Sequence, residues 1–172
     1  MHLLKIYVLL IIVATSIFEM RGTIKLHSQQ KDESVGFLIN QASRKIIHLL
    51  MHRFREFDIT PEQWSVLYQL FEEGGITQKE LARRTAKDQP TTARILDILM
   101  KKELIKKQMS EADRRAFIVS LTAKGEKIAA STIPIEAETM KEILTGIDQY
   151  DVERFKKVLD QLTANIDSII NS

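Results

Sequence analysis

The sequence contains no cysteine, and it has only six glycines and three prolines in 172 residues. Without cysteine there can be no disulfide, thiolate zinc site, iron–sulfur cluster or switch based on thiol oxidation. The motifs H-E-x-x-H and G-x-S-x-G and a glycine-rich phosphate loop are also missing, so no enzyme class is indicated. The composition, 44% hydrophobic and 28% charged residues, favours a globular protein rich in helix.

Net charge is small, at +2, but it is unevenly distributed along the chain. Residues 77–115 hold eleven Lys and Arg against six Asp and Glu, whereas residues 116–172 are net acidic. A localised basic block is typical of a solvated helical face, and it also suits a polyanion. The shape of residues 77–115 therefore has to decide between the two interpretations.

A long apolar run occurs near the N-terminus, from Ile6 to Ala14, with Lys5 before it. The stretch 3–18 is shorter than the ~20 residues that a bilayer core requires. Three interpretations are open: a start codon placed too far upstream with Met20 as the true beginning, an extra helix buried in a dimer, or a targeting segment. We favour the first two, and expect residues 1–31 to be an extension of a cytoplasmic protein with no membrane partner.

Apolar residues recur at helical spacing in six stretches. The predicted helices cover approximately residues 34–57, 60–73, 77–85, 88–103, 122–145 and 148–170. TPEQ at 60–63 and TQKE at 77–80 have the pattern of capping boxes, and Asp88 and Thr122 are predicted N-caps. Leu104–Met109 and Arg115–Thr122 alternate as strands do, with Ser110–Arg114 at the tip between them.

The third and fourth helices are separated by a short turn and followed by a hairpin with a basic tip. This is the order of a helix-turn-helix with a wing, whose second helix presents its first turns to the major groove. The side chains predicted to reach DNA from that helix are Gln89, Thr91, Thr92 and Arg94. Gln can pair with adenine and Arg with guanine, while Thr offers a methyl to thymine or a hydroxyl to phosphate.

The segment from Thr77 to Ile128 resembles the winged helix-turn-helix of the multiple-antibiotic-resistance regulator (MarR) family. The match is carried by DRR at 113–115, which resembles the D-x-R wing signature, and by VSLT with Gly125, which resembles the L-T-x-x-G helix start. Glu103 stands where the family often has Gly, and KK at 106–107 where an Arg is common. The resemblance implies a mainly α fold with a small β-hairpin wing, flanked by N- and C-terminal dimerisation helices.

The resemblance also implies a division of labour along the chain. Residues 58–122 would bind DNA, whereas residues 32–57 and 123–172 would form a homodimer. Arg115 would enter the minor groove with Arg114 beside it, and Asp113 would hold the wing tip. The homodimer would bind a pseudo-palindromic operator of double-stranded DNA and act as a repressor. Further candidates for phosphate contacts are Lys87, Arg83 and Arg84, although such side chains are more often only solvated.

Family members commonly respond to small aromatic ligands, for which Phe54, Trp64 and Tyr68, with Phe57, are candidate contacts; aromatic residues at this spacing are more often core. Two alternatives stay open. A winged helix can serve as a protein docking module, and His48 and His52 have a spacing that two metal ligands can use in a metal-responsive regulator. Without a third ligand in the sequence, we expect no metal and no cofactor.

Overall fold

The computed structural model describes residues 34–109, 117–170 and 172. Within them the chain forms six α-helices, one 3-10 helix and three short strands, so the predicted mainly α fold with a small wing is confirmed. In chain order the elements are α1 (Val35–Arg53), a 3-10 helix (Arg55–Phe57), α2 (Pro61–Glu73), β1 (Ile76–Thr77), α3 (Gln78–Thr85), α4 (Gln89–Lys101), β2 (Ile105–Met109), β3 (Phe117–Leu121), α5 (Ala123–Ile143) and α6 (Gln149–Ile170).

Side-chain caps explain where most helices begin. Thr60 and Gln63 form a complete capping box, because each side chain bonds the backbone N–H of the other residue. The hydroxyl of Thr122 accepts from the N–H of Gly125, which starts α5. Asp148 Oδ1 accepts from the N–H of Tyr150 at 2.7 Å, which starts α6. These caps satisfy backbone donors that have no partner inside a helix.

One helix boundary and one strand differ from the prediction. The first helix ends at Arg53, because the chain tightens there into the 3-10 helix, which Asp58 closes in a left-handed conformation (φ 52°). The apolar spacing of Phe54 and Phe57 suggested a continuous helix, but a 3-10 turn satisfies it as well. The strand β1 was not predicted, since two residues carry no usable periodicity.

The three strands form one antiparallel sheet in the order β1-β3-β2. Ile105 lies opposite Leu121 and Met109 opposite Phe117, while Ile76 pairs with Val119 at the other edge of β3. Val119 is fully buried and Phe117 is exposed, so the inner face of the wing is apolar at its base and open towards its tip.

The described residues divide into two compact units, residues 34–46 with 140–170 and 172, and residues 47–109 with 117–139. In the second unit the large apolar side chains that are fully buried are Leu50, Phe54, Trp64, Val66, Leu67, Leu81, Leu96, Leu99 and Val119. In the first unit Leu159 is buried against Ile39, Ile46 and Leu162. Burying each large apolar side chain contributes about 1.5–3 kcal/mol, so each unit has its own source of stability.

Across the described residues, no helix combines the length and the apolar character needed to cross a membrane.

Candidate nucleic-acid interface

The helix-turn-helix consists of α3, a three-residue turn and α4. Thr77 starts α3 by accepting the N–H of Glu80 at 3.1 Å. The helix ends where Ala86 adopts a left-handed conformation (φ 48°), and the N–H of Lys87 donates to the carbonyl of Ala82 at 3.0 Å. This turn redirects the chain within three residues, so that α4 begins at once beside α3.

Asp88 fixes the start of α4. Its Oδ1 accepts the N–H of Thr91 at 2.6 Å, and its Oδ2 accepts the hydroxyl of Thr91 at 2.8 Å. These bonds, backbone first, hold the pKa of the Asp88 carboxyl below its ordinary value. Pro90 stands in the first turn, where its missing N–H costs nothing. The first turn of α4 is therefore rigid, as expected for a helix that presents side chains to a partner.

Of the four side chains predicted to reach DNA from α4, two are fully presented. Gln89 and Arg94 are exposed, and Thr91 is half-buried with its hydroxyl on Asp88. The prediction for Thr92 was wrong, because this residue is 0% exposed and its hydroxyl donates to the carbonyl of Asp88 at 2.8 Å. Thr92 shares the inward face of α4 with the buried Ile95, Leu96 and Leu99.

Lys87, the candidate phosphate contact in the turn, is half-buried. Burial lowers the pKa of its amine, and the negative charges of Glu62 and Asp88 act in the opposite direction. Only part of the Lys87 side chain therefore faces solvent.

The base of the wing is tied to the end of α4. Glu103 adopts a left-handed conformation (φ 59°), and its carbonyl accepts the hydroxyl of Thr122 at 2.7 Å. A Cβ added at Gly125 would lie 1.9 Å from the carbonyl oxygen of Leu104, so only glycine fits at that position. The L-T-x-x-G pattern thus has a packing reason: it lets α5 start directly against the segment that joins α4 to β2.

The wing itself is described along its strands. Lys106 is exposed, and Lys107 is half-buried with its Nζ 4.0 Å from Oδ1 of Asp97 on α4. Asp113, Arg114 and Arg115, the predicted tip residues, lie outside the described residues.

A network of charges on α3 was not foreseen from the sequence. Glu80 accepts two hydrogen bonds from Arg83 and one from Arg84. Arg84 also pairs with Glu73 at the end of α2, at 2.5 Å. The sequence predicted that the Glu80 side chain would complete a capping box with Thr77, but the carboxylate bonds the two arginines, and only the Thr77 half of the box forms.

The aromatic residues proposed for an effector form a stack. The ring centroids of Phe54 and Trp64 are 5.7 Å apart, and those of Trp64 and Tyr68 are 5.3 Å apart. Phe54 and Trp64 are 0% exposed and belong to the core, whereas Tyr68 is half-buried. Phe57 is half-buried in the 3-10 helix.

His48 and His52 are exposed on α1. His52 lines an open cleft of about 490 Å³ together with Arg53, Arg55 and Glu56. In the part of the chain that the structure describes, no group of three or more His, Asp or Glu side chains is placed to hold a metal ion.

A second unforeseen feature is Glu136 on α5, which is only 6% exposed. Among the described residues, no hydrogen-bond partner is found for its Oε1, and burial raises the pKa of its carboxyl to about 7. Its charge acts on Tyr68, whose pKa is raised first by burial and then by Glu72 and Glu136. No periodicity in the sequence marks it, because glutamate is rarely buried.

Comparison with known proteins places this geometry among bacterial regulators. The family model described as MarR family matches residues 59–117. The transcriptional regulator PA3341 is 32% identical, with a TM-score of 0.71 over 78% of this chain and 99% of its own. MepR of S. aureus in its DNA complex is 24% identical, with a TM-score of 0.73 over 78% of this chain and 99% of its own. BpsR of Bordetella bronchiseptica, whose DNA binding is regulated by 6-hydroxynicotinic acid, is 21% identical, with a TM-score of 0.73 over 80% of this chain and 98% of its own.

Proposed function

Because this chain belongs to the MarR family of winged-helix, DNA-binding transcriptional regulators, we propose that it is a cytoplasmic repressor that binds a pseudo-palindromic operator as a homodimer. The observation that carries the proposal is the start of α4. There Asp88 fixes the backbone of the first turn, and Gln89 and Arg94 are exposed within the first two turns. A rigid helix start with these side chains is what reading base edges in the major groove requires.

We assign contacts accordingly. Gln89 and Arg94 read base edges, and the methyl group of Thr91 contacts a base or the backbone. Lys87 contributes to phosphate binding through the part of its side chain that faces solvent. Arg114 and Arg115 contact the minor groove, held by Asp113, in a role that depends on groove width rather than on a base code.

The homodimer is supported by apolar side chains that are exposed in the single chain. On α1, Val35 is 65% and Phe37 is 52% exposed. On α6 the exposed apolar side chains are Tyr150, Phe155, Val158, Ile166, Ile169 and Ile170. A second copy would cover them, and a two-fold dimer would place two α4 helices about one turn of DNA apart.

We further propose that a small aromatic ligand releases the operator. BpsR, which has the same fold, provides the precedent that a hydroxylated aromatic acid regulates DNA binding. Tyr68 is the best-placed of the predicted aromatic contacts, since it is half-buried at the end of the aromatic stack, whereas Phe54 and Trp64 serve the core.

Selection from a random duplex library with the purified protein tests the proposal. We expect a two-fold symmetric sequence to be enriched, with half-sites about one helical turn apart. Failure to enrich any sequence, with the protein folded and dimeric, would contradict operator binding. Arg94→Ala and Arg115→Ala variants then assign the two contacts separately: the first should relax preference at one base pair, and the second should weaken binding where the minor groove is narrow.

A further inference from the structure

The carboxylate of Glu80 accepts hydrogen bonds from two arginines, so it is surrounded by more positive charge than a simple ion pair supplies. Its Oε2 accepts Nε of Arg83 at 2.9 Å, and its Oε1 accepts Nη2 of Arg83 and Nε of Arg84, both at 2.6 Å. Arg84 is held a second time, by Glu73 at 2.5 Å through Nη1. Isolated exposed ion pairs contribute little, but a bidentate arginine and a linked network are the cases in which such pairs matter.

The two arginines stand where DNA backbone is expected. They lie in the last turn of α3, the first helix of the helix-turn-helix, and this helix crosses the phosphate backbone when the second helix enters the groove. Arg83 is 71% exposed and Arg84 is 27% exposed. A guanidinium binds phosphate with the same forked geometry that it uses for a carboxylate, so Glu80 and a phosphate compete for the same donors.

We propose that Glu80 is an intramolecular substitute for DNA phosphate, which keeps Arg83 from contributing a backbone contact and thereby limits the affinity of the protein for DNA of any sequence. This inference rests on the proposed DNA-binding function. The hydrogen bonds from Arg83, and then that from Arg84, lower the pKa of Glu80 to about 2, so the carboxylate stays charged at every physiological pH and the competition is permanent. Because phosphate contacts carry no base information, the limit applies to all duplexes alike.

The structure predicts how much the salt dependence of DNA binding changes when Glu80 loses its charge. Without the Glu80 charge, Arg84 still has Glu73 as a partner, so only Arg83 is released. One additional phosphate contact makes the dependence of log K on log salt steeper by about 0.9. Between 50 and 200 mM salt, Glu80→Gln should therefore lose about 3–4-fold more affinity than the wild type loses.

The experiment compares Glu80→Gln with Glu126→Gln, which removes the same charge from an exposed position on α5. Each protein is titrated with the selected operator and with an unrelated duplex at several salt concentrations, after its fold has been checked by circular dichroism. We expect the steeper salt dependence in Glu80→Gln alone, equal on both duplexes, and the wild-type slope again in the double variant Glu80→Gln/Arg83→Gln.

Arg83→Gln in the wild-type background gives a second measurement, with Glu80 left in place. A masked arginine makes no phosphate contact, so this variant should keep the wild-type slope, whereas a shallower slope would show that Arg83 already contacts DNA. Identical slopes for Glu80→Gln, Glu126→Gln and the wild type would overturn the inference and leave operator binding intact. No salt-dependent binding by the wild type itself would remove the proposed function, and the inference with it.

Discussion

Replacing Glu136 with glutamine should make the stability of the protein much less dependent on pH. Glu136 is 6% exposed, and burial raises the pKa of its carboxyl from the ordinary 4.5 to about 7. Well below pH 4.5 the carboxyl is protonated in the folded and unfolded states alike and does not change the free energy of unfolding. As the pH rises to 7, the unfolded chain ionises freely while the folded chain resists, so stability falls and then levels off.

The difference between a pKa of 4.5 and one of about 7 corresponds to at most about 3 kcal/mol of stability at pH 8. Tyr68 faces the same region and stays neutral over this pH range, because burial, Glu72 and Glu136 raise its pKa further above 10. Glutamine keeps the size of the side chain and removes the ionisation. The advantage of Glu136→Gln over the wild type should therefore grow from near zero at pH 4.5 to about 3 kcal/mol at pH 8.

Urea unfolding at pH 4.5, 6 and 8 measures this advantage, at one fixed protein concentration because a dimer's stability depends on it. Glu126→Gln, at an exposed position on the same helix α5, is the matched control and should follow the wild type. Parallel pH curves for Glu136→Gln and the wild type would refute the reasoning, since they would mean that the buried carboxyl is already satisfied in its charged form.

Three further predictions concern single positions. Gly125→Ala should destabilise the protein by at least about 1–3 kcal/mol in urea unfolding, since its Cβ would collide with the carbonyl of Leu104. The control Gly36→Ala, which has open space in α1, should raise the free energy of unfolding by about 0.5–1 kcal/mol. Equal effects of the two substitutions would contradict the packing argument. Glu103→Gly should raise the free energy of unfolding by about 1 kcal/mol, because the residue is left-handed and its 3.8 Å pair with an exposed lysine returns little; a loss would show that this strain is absent. Arg94→Ala should weaken operator binding by about 1–3 kcal/mol in a gel-shift titration and relax one base preference, and unchanged affinity would exclude it from base reading.

Local patterns in the sequence predicted the helix starts well. Caps at Thr60, Asp88 and Thr122 depend on residues three positions apart, so the information is contained in a few neighbouring letters. The wing strands were also predicted from a local pattern, the alternation of apolar residues along each strand. The fold class and the position of the helix-turn-helix followed from these elements together.

Features that depend on contacts between residues far apart in the chain could not be predicted from the sequence. The strand β1 forms because Ile76 pairs with Val119 in the sheet, and no pattern in the neighbouring residues indicates this pairing. Glu80 was a local ambiguity instead: it matched a capping box, but the arginines one turn later on the same helix compete better for its carboxylate. Thr92 was a different kind of error, because its helical spacing to Ile95 and Leu99 already indicated the buried face.

The most direct test of the central claim is an equilibrium titration of the selected operator with the wild-type protein at several salt concentrations, with the number of chains per duplex measured in the same samples. The account predicts two chains per operator and an affinity that falls steeply as salt rises, as several phosphate contacts require. One chain per duplex, or an affinity indifferent to salt, would contradict a dimeric DNA-binding regulator.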